Sequence, residues 1–310
     1  MAVTPAQIKE LRDRTSAGMS DCKNALVEAD GDLEKAVEII LKKGIVKAAA
    51  RAGKVATEGE VATWVSSDGR KGVIVEVNCQ TDFVARGDDF KGFVKNVLEV
   101  AQKLPKGKDL GAEKYPGTDK SIDTIRQELV GRIGENIVVR RWDALEAKTP
   151  NGLVQSYVHM GGKLAVLLVA TAHNEAAKND AGFRSFVENA AMQIAAMNPM
   201  VVTKDEIGKA QIDKQKEIFE AQLKEEGKPE QAWPKIVEGK VSKWFTEVTL
   251  LGQDNVWEPG AGSVDKVRQE LGKKLGGEVK VDAFVRFGLG DGIEKKSEDL
   301  AAEVAKTIGS

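Results

Sequence analysis

Residues 59 to 103 match residues 152 to 196 without a gap, at a constant offset of 93, so the chain is expected to fold around two related units. Gly59 matches Gly152, Val61 matches Val154, Trp64 matches Tyr157 and Gly69 matches Gly162. The match runs on through Val73 with Val166, Ile74 with Leu167, Phe90 with Phe183, Phe93 with Phe186 and Val94 with Val187. Each copy opens with alternating residues, a glycine-containing turn and a β-branched or aliphatic run, the pattern of a hairpin. Each then turns to helical spacing, Phe90, Phe93, Val94, Val97, Leu98 and Ala101 in one and Phe183, Phe186, Val187, Ala190, Ala191 and Ile194 in the other.

The repeat resumes at a second offset. Ser121 to Leu129 recurs as Ser263 to Leu271, now 142 residues apart, and each run is followed by a strand-like stretch, Ile137 to Trp142 and Val279 to Phe287. The second copy therefore carries 49 extra residues between its halves. That insertion, 201–250, places Ile212, Phe219 and Leu223 on one helical edge and Val237, Val241, Trp244 and Val248 on another, with Gly227-Lys228-Pro229 between them. An antiparallel helical hairpin is expected, its narrow apolar edges suited to the other arm, another subunit or a partner.

Ahead of the repeat, Thr4-Pro5 signals a helix start, and Ile8 with Leu11 forms an apolar edge that Ser16-Ala17-Gly18 interrupts. Met19, Cys22 and Leu26, then Leu33, Ala36, Val37, Ile40 and Leu41, give two more stripes separated by Asp30-Gly31. Three short helices bury too little surface to stand alone, so this unit is expected to dock on or recognise something. Val46 to Lys54, rich in Ala and Lys, reads as a linker whose conformation the sequence leaves open. The boundaries that follow are 1–54 for the helical module and linker, 55–145 for one core subdomain, 146–200 with 251–288 for the other, 201–250 for the hairpin and 289–310 for a C-terminal helical module.

With 46 basic and 48 acidic side chains the net charge is −2, which gives no global attraction to nucleic acid or an anionic membrane. The longest apolar run, Leu164 to Ala172, is short of the roughly 20 residues of a membrane span, and no signal-like apolar segment follows Met1. A soluble, cytoplasmic protein is expected. Cys22 and Cys79 cannot supply a disulfide framework, and with only His159 and His173 besides, most zinc or triad chemistry lacks its residues. No cofactor or metal is expected.

Gly288-Leu289-Gly290-Asp291-Gly292 follows a strand and precedes the helical pattern Ile293 to Ile308, but Ile293 stands where a dinucleotide fingerprint needs its third glycine. A plain glycine turn is expected. There is no phosphate-binding G-x-x-x-x-G-K-[ST] motif, and Asp89-Phe90-Lys91-Gly92 fits D-x-x-G only by using a residue of the core stripe. The segment Asn78 to Arg86 stands out because the repeat fails inside it: Asp82 and Phe83 oppose Glu175 and Ala176. Position alone favours a core role for Phe83, yet the sister copy manages with alanine, which raises the reading of a partner contact. Cys79 reads as a small buried residue.

Leu11 to Lys23, Val75 to Ala85 with its Asn-Cys-Gln-Thr-Asp-Phe-Val-Ala run, Arg132 to Ile137 and Phe287 to Lys295 together resemble the translation elongation factor Ts family over essentially the whole chain. Ser16 and Ser20 stand where that family often has Gly and Met. The resemblance implies an α+β fold: an N-terminal ubiquitin-associated-like three-helix module, a core of two hairpin-plus-helix subdomains, a helical-hairpin insertion and a C-terminal module. It implies a guanine-nucleotide exchange factor for elongation factor Tu, with no reaction of its own, no nucleic acid or membrane partner, and self-association through the hairpin as a homodimer or 2:2 complex left open. By the same resemblance Arg12 and Met19 contact a helix of the partner's nucleotide domain, and Asp82 and Phe83 act at its magnesium side. Ile133, Gly134 and Glu135 support that surface, and His159 belongs to the second subdomain's contact. Two other readings remain at this point: an adaptor whose three-helix unit binds a helical or ubiquitin-like partner, and a nucleotide-dependent transferase using the Gly288 turn.

Overall fold

The computed structural model describes residues 3–15 and 17–294. The fold is mixed α and β, with two three-stranded sheets among the described residues. The chain divides into two compact units: one holds the residues up to Ala62, Val75–Trp142 and those from Gly288, the other Thr63–Ile74 and Asp143–Phe287.

Three helices open the first unit, α1 (Pro5–Thr15), α2 (Met19–Glu28) and α3 (Leu33–Arg51). Thr4 and Gln7 cap α1 reciprocally, with Pro5 at its first position, and Asp32 caps α3 by accepting from the Glu34 and Lys35 N–H groups. Leu11, Cys22, Ala25, Leu26 and Ala36 form their common core. The stretch read as a linker is mostly helix, since α3 continues to Arg51: its Ala- and Lys-rich composition is a good helix former, and Gly44 is placed against Gly131. A Cβ on Gly131 would fall 2.5 Å from the Gly44 Cα, so these two backbones meet where no side chain fits.

The first copy of the repeat then runs β1 (Glu58–Val65), β2 (Lys71–Cys79), α4 (Asp82–Arg86), α5 (Asp88–Ala101), α6 (Ile122–Ile133) and β3 (Ile137–Glu146), with strand order β1-β2-β3. The second runs β4 (Gly152–His159), β5 (Leu164–Ala172), α7 (Glu175–Asn179), α8 (Ala181–Met197), α11 (Val264–Leu275) and β6 (Val279–Gly288), with order β4-β5-β6. β4 and β5 pair antiparallel in the register Gly152 with Thr171 and His159 with Leu164. The helix stripes read from the sequence are buried, Phe90, Phe93, Val94 and Val97 in one copy and Phe183, Phe186, Val187, Ala190 and Ile194 in the other. The copies also share their caps. Ser121 and Ser263 cap α6 and α11, and Gly134 and Gly276 end them at φ 84° and 77°, a left-handed conformation that favours glycine. Arg126 and Arg268 each bond the aspartate three residues earlier.

The inserted residues form α9 (Lys209–Glu225) and α10 (Trp233–Val248). Leu223, Val237 and Val241 are buried between them, with Ile212, Phe219, Trp233, Ile236 and Phe245 against them. Phe245, four residues after Val241, occupies the seam in place of the expected Trp244, which packs beside it with ring centroids 5.3 Å apart. The insertion springs from a parallel bridge between Val201 and Thr249. Val202 and Leu250, next to the bridge, belong to the core of the second copy.

The expected helix from Ile293 to Ile308, and with it the C-terminal module, lies almost wholly outside the described residues. No helix among the described residues is long and apolar enough to cross a membrane.

Candidate partner-binding site

Strand β2 delivers the chain to a one-turn helix that the sequence pattern treats as a plain connection. Thr81 caps α4 by accepting from the Val84 N–H. The matching residue Asn174 caps α7 in the same way, accepting from the Ala177 N–H at 2.8 Å. Both copies thus build the same turn. In the first copy it carries Phe83, 82% exposed; in the second the exposed Ala176 occupies that place. The scaffold needs no aromatic ring there, and among the described residues the ring is not part of a core.

The turn that bears Phe83 is held from behind. Glu135 accepts from the Thr81 N–H at 3.0 Å and from the Thr81 hydroxyl at 2.8 Å. Gln80 accepts from the Asn136 N–H at 2.8 Å, and the Cys79 thiol lies 3.2 Å from the Thr81 carbonyl oxygen. Gly134, in its left-handed conformation, ends α6 and lets Glu135 and Asn136 face this turn. Beside the ring, the half-exposed Asp82 pairs with Arg86 at 2.8 Å, a surface ion pair that leaves the carboxylate within reach of a partner. Arg132 bonds Asp89 at 2.9 Å and ties the end of α6 to the start of α5.

Of the residues singled out in the sequence, Asp82, Phe83, Gly134 and Glu135 are therefore brought together, with Ile133 partly buried at the end of α6. Arg12 and Met19 lie at the facing ends of α1 and α2, both exposed, Met19 at 57%. His159 belongs to the second unit, where it is exposed at the end of β4, 3.2 Å through Nδ1 from the Tyr157 hydroxyl and stacked on that ring at 6.0 Å. Thr81, Gln80 and Asn136 lie in the segments that the sequence marks, but it assigns them no role of their own. The signal for them was the repeat itself, because Glu135 and Asn136 oppose Gly277 and Glu278 in the sister copy.

The glycine turn after β6 is built on carboxylates. The Gly290 N–H donates to Glu76 at 2.8 Å and the Gly288 N–H to Asp291 at 3.1 Å. Backbone donors that a phosphate would require are thus already taken by anions, against the nucleotide-site reading of this turn. Glu76 itself is fully buried. Arg140 at 2.9 Å and Arg141 at 2.5 Å flank it, and Arg140 also donates to the Asp291 carbonyl. Burial pushes its carboxyl pKa up, but the Gly290 N–H and the two guanidinium groups outweigh that and hold it below the ordinary value. No group of three or more His, Cys, Asp or Glu among the described residues is arranged to hold a metal ion.

The family model described as Elongation factor TS matches residues 80–291. The chain is 43% identical to the Elongation factor Ts of a Clostridium perfringens strain over 310 residues, 99% of each chain. It is 46% identical to that of a Nitratiruptor species over 306 residues, 98% of this chain and 99% of the relative, and 43% identical to that of Halothermothrix orenii over 311 residues, 99% of each chain. A match that spans most of the chain and includes the Phe83 turn, with relatives alike from end to end, places this protein in the elongation factor Ts family of translation factors.

Proposed function

We propose that this chain is a guanine-nucleotide exchange factor that binds elongation factor Tu and speeds GDP release in translation elongation, without making or breaking a covalent bond. The observation that carries the reading is an 82% exposed phenyl ring on a clamped turn whose sister turn has alanine. A protein with no nucleotide site of its own can accelerate release only by binding the nucleotide-free partner more tightly than the nucleotide-bound one, because the coupling is reciprocal. Burying the Phe83 ring between helices of the partner gains about 1.5–3 kcal/mol, worth roughly tenfold to a hundredfold in the partner's preference for the displaced, nucleotide-free arrangement. Packed helices respond by a discrete shift rather than a graded one. Moving the partner's magnesium and phosphate elements removes charge neutralisation from the diphosphate, whose affinity then falls.

Asp82 in this reading orients or hydrogen-bonds the partner's loops, and Glu135, with Ile133 and Gly134, holds the turn in place. Arg12 and Met19 anchor the N-terminal helices on the partner's nucleotide domain, and His159 makes a separate contact from the second subdomain. Calorimetric titration of GDP into the chain alone is expected to show no binding, while the same chain speeds loss of labelled GDP from the purified translational GTPase. Direct GDP binding, or a release rate unaffected by the chain, contradicts the reading.

A further inference from the structure

Asn136 is a polar side chain only 3% exposed, set where three segments meet. Its side-chain amide donates to the Lys54 carbonyl oxygen at 2.7 Å and reaches that of Ala52, the C-cap of α3, at 3.5 Å. Its backbone N–H donates to the Gln80 side chain at 2.8 Å, directly before the Thr81 cap of the Phe83 helix. One residue therefore grips the exit of the N-terminal helices with its side chain and the root of the Phe83 turn with its backbone.

The sister copy shows that the hairpin-plus-helix scaffold does not require this grip. Glu278 stands in place of Asn136, exposed and paired with Lys280 at 3.2 Å. His173 stands in place of Gln80, with its ring so close to Gly277 that a Cβ there would fall 2.2 Å from it. Strand β3, not a helix, stands directly before β4, and the residue at the matching position, Glu278, is no buried amide. The Asn136–Gln80 pair is present only in the copy that has a module to hold.

We infer that Asn136 is a positioning residue that fixes the spacing between the two partner-facing surfaces of the first unit, Arg12 with Met19 and Asp82 with Phe83. The inference rests on the exchange-factor reading above and extends it. Two modest contacts held at a matched spacing bind as one, because the second forms at high effective concentration once the first is made. Loosening the joint lowers affinity for the partner. It leaves the step made by an inserted Phe83 ring as it was.

Stopped-flow GDP release, with the full-length chain titrated against the translational GTPase, separates the two quantities. Asn136→Ala is expected to raise the half-saturating concentration by about tenfold, a fraction of the avidity that linked contacts supply. The saturating release rate is expected to stay within about twofold, since no contact of the inserted ring is removed. A residue that merely supports the fold would not give this split. Asn136→Ser, which keeps a shorter hydroxyl donor, is expected to move the same quantity less, and it serves alone if the alanine variant melts below the assay temperature. An unchanged half-saturating concentration in a folded variant, or a loss confined to the saturating rate, overturns the inference. If the parent chain does not stimulate release, the exchange-factor reading itself fails and takes this inference with it, whereas an unchanged saturating rate in Phe83→Ala removes only the role of the ring.

Discussion

Thr81 and Glu135 are joined twice, through the Thr81 N–H at 3.0 Å and its hydroxyl at 2.8 Å, although 54 residues separate them in the chain. The same hydroxyl accepts from the Val84 N–H, so one carboxylate fixes the cap and the cap fixes the one-turn helix that carries Phe83. A helix this short has no stability of its own. Its geometry depends on this clamp.

Glu135→Ala removes both acceptors and leaves the partly buried Thr81 donors without them. Hydrogen bonds to a charged group contribute about 1.5–3 kcal/mol, so urea unfolding is expected to show a loss of that order. Amide exchange over residues 81–86 is expected to accelerate more than exchange in β2. Unchanged exchange in this turn would show that the clamp does not set its order.

Phe83 and Phe90 sit seven residues apart with opposite surroundings, one almost fully exposed and the other fully buried. Phe90→Ala opens a core cavity and is expected to cost about 3–5 kcal/mol in chemical denaturation. Phe83→Ala is expected to change stability by no more than about 0.5 kcal/mol, as for a side chain on the surface. Equal losses for the two variants would place the Phe83 ring inside the protein.

Glu76 links β2 to β3 and to the Gly288–Gly292 turn through Arg140, Arg141 and Gly290. Glu76→Gln removes the charge opposite two guanidinium groups, a change expected to cost about 3–5 kcal/mol at neutral pH. Because the folded carboxyl titrates below its ordinary value of 4.5, its contribution is fully present above that pH and fades as the pH falls through the depressed value. The stability difference between parent and variant is therefore constant from neutrality down to about pH 5 and narrows below it. A gap that widens in acid would reverse the sign of the linkage.

The inserted α9–α10 hairpin returns to the second subdomain at the Val201–Thr249 bridge, where the Leu250 N–H also donates to the Val201 carbonyl at 2.9 Å. Its apolar residues pack on each other, not into the subdomain core. Replacing Lys204 to Glu247 with a short turn is expected to leave the cooperative melt of the remaining chain in place. It is also expected to change either the mass measured by light scattering or the stoichiometry with the partner. Identical mass and identical stoichiometry would confine the hairpin to pairing with itself.

Most of the scaffold was legible because the repeat doubles every signal. Phe90 and Phe183, or Ser121 and Ser263, identify the same structural position twice, so a burial or capping pattern that is weak in one copy is read in both. The sequence leaves the conformation of Val46 to Lys54 open because Ala- and Lys-rich sequence suits a helix and a linker alike, whereas α3 continues to Arg51 with Ala48 buried. The exposure of Phe83 was half legible. Position alone favours the core, and only the alanine in the sister turn speaks for a contact. The supports of the site, Glu135 on Thr81 and Asn136 between Lys54 and Gln80, depend on contacts between segments that no local pattern brings together. Glu76 was hidden for a similar reason, as its charge is compensated by residues 64 and 214 positions further along the chain.

If the exposed ring on its clamped turn opens the partner's nucleotide site, release of labelled GDP from elongation factor Tu under a saturating Phe83→Ala variant is the step that slows. The saturating rate is expected to fall by roughly tenfold or more, in line with about 1.5–3 kcal/mol of lost burial, in a protein that melts with the parent. A rate equal to the parent's would leave the ring without this role.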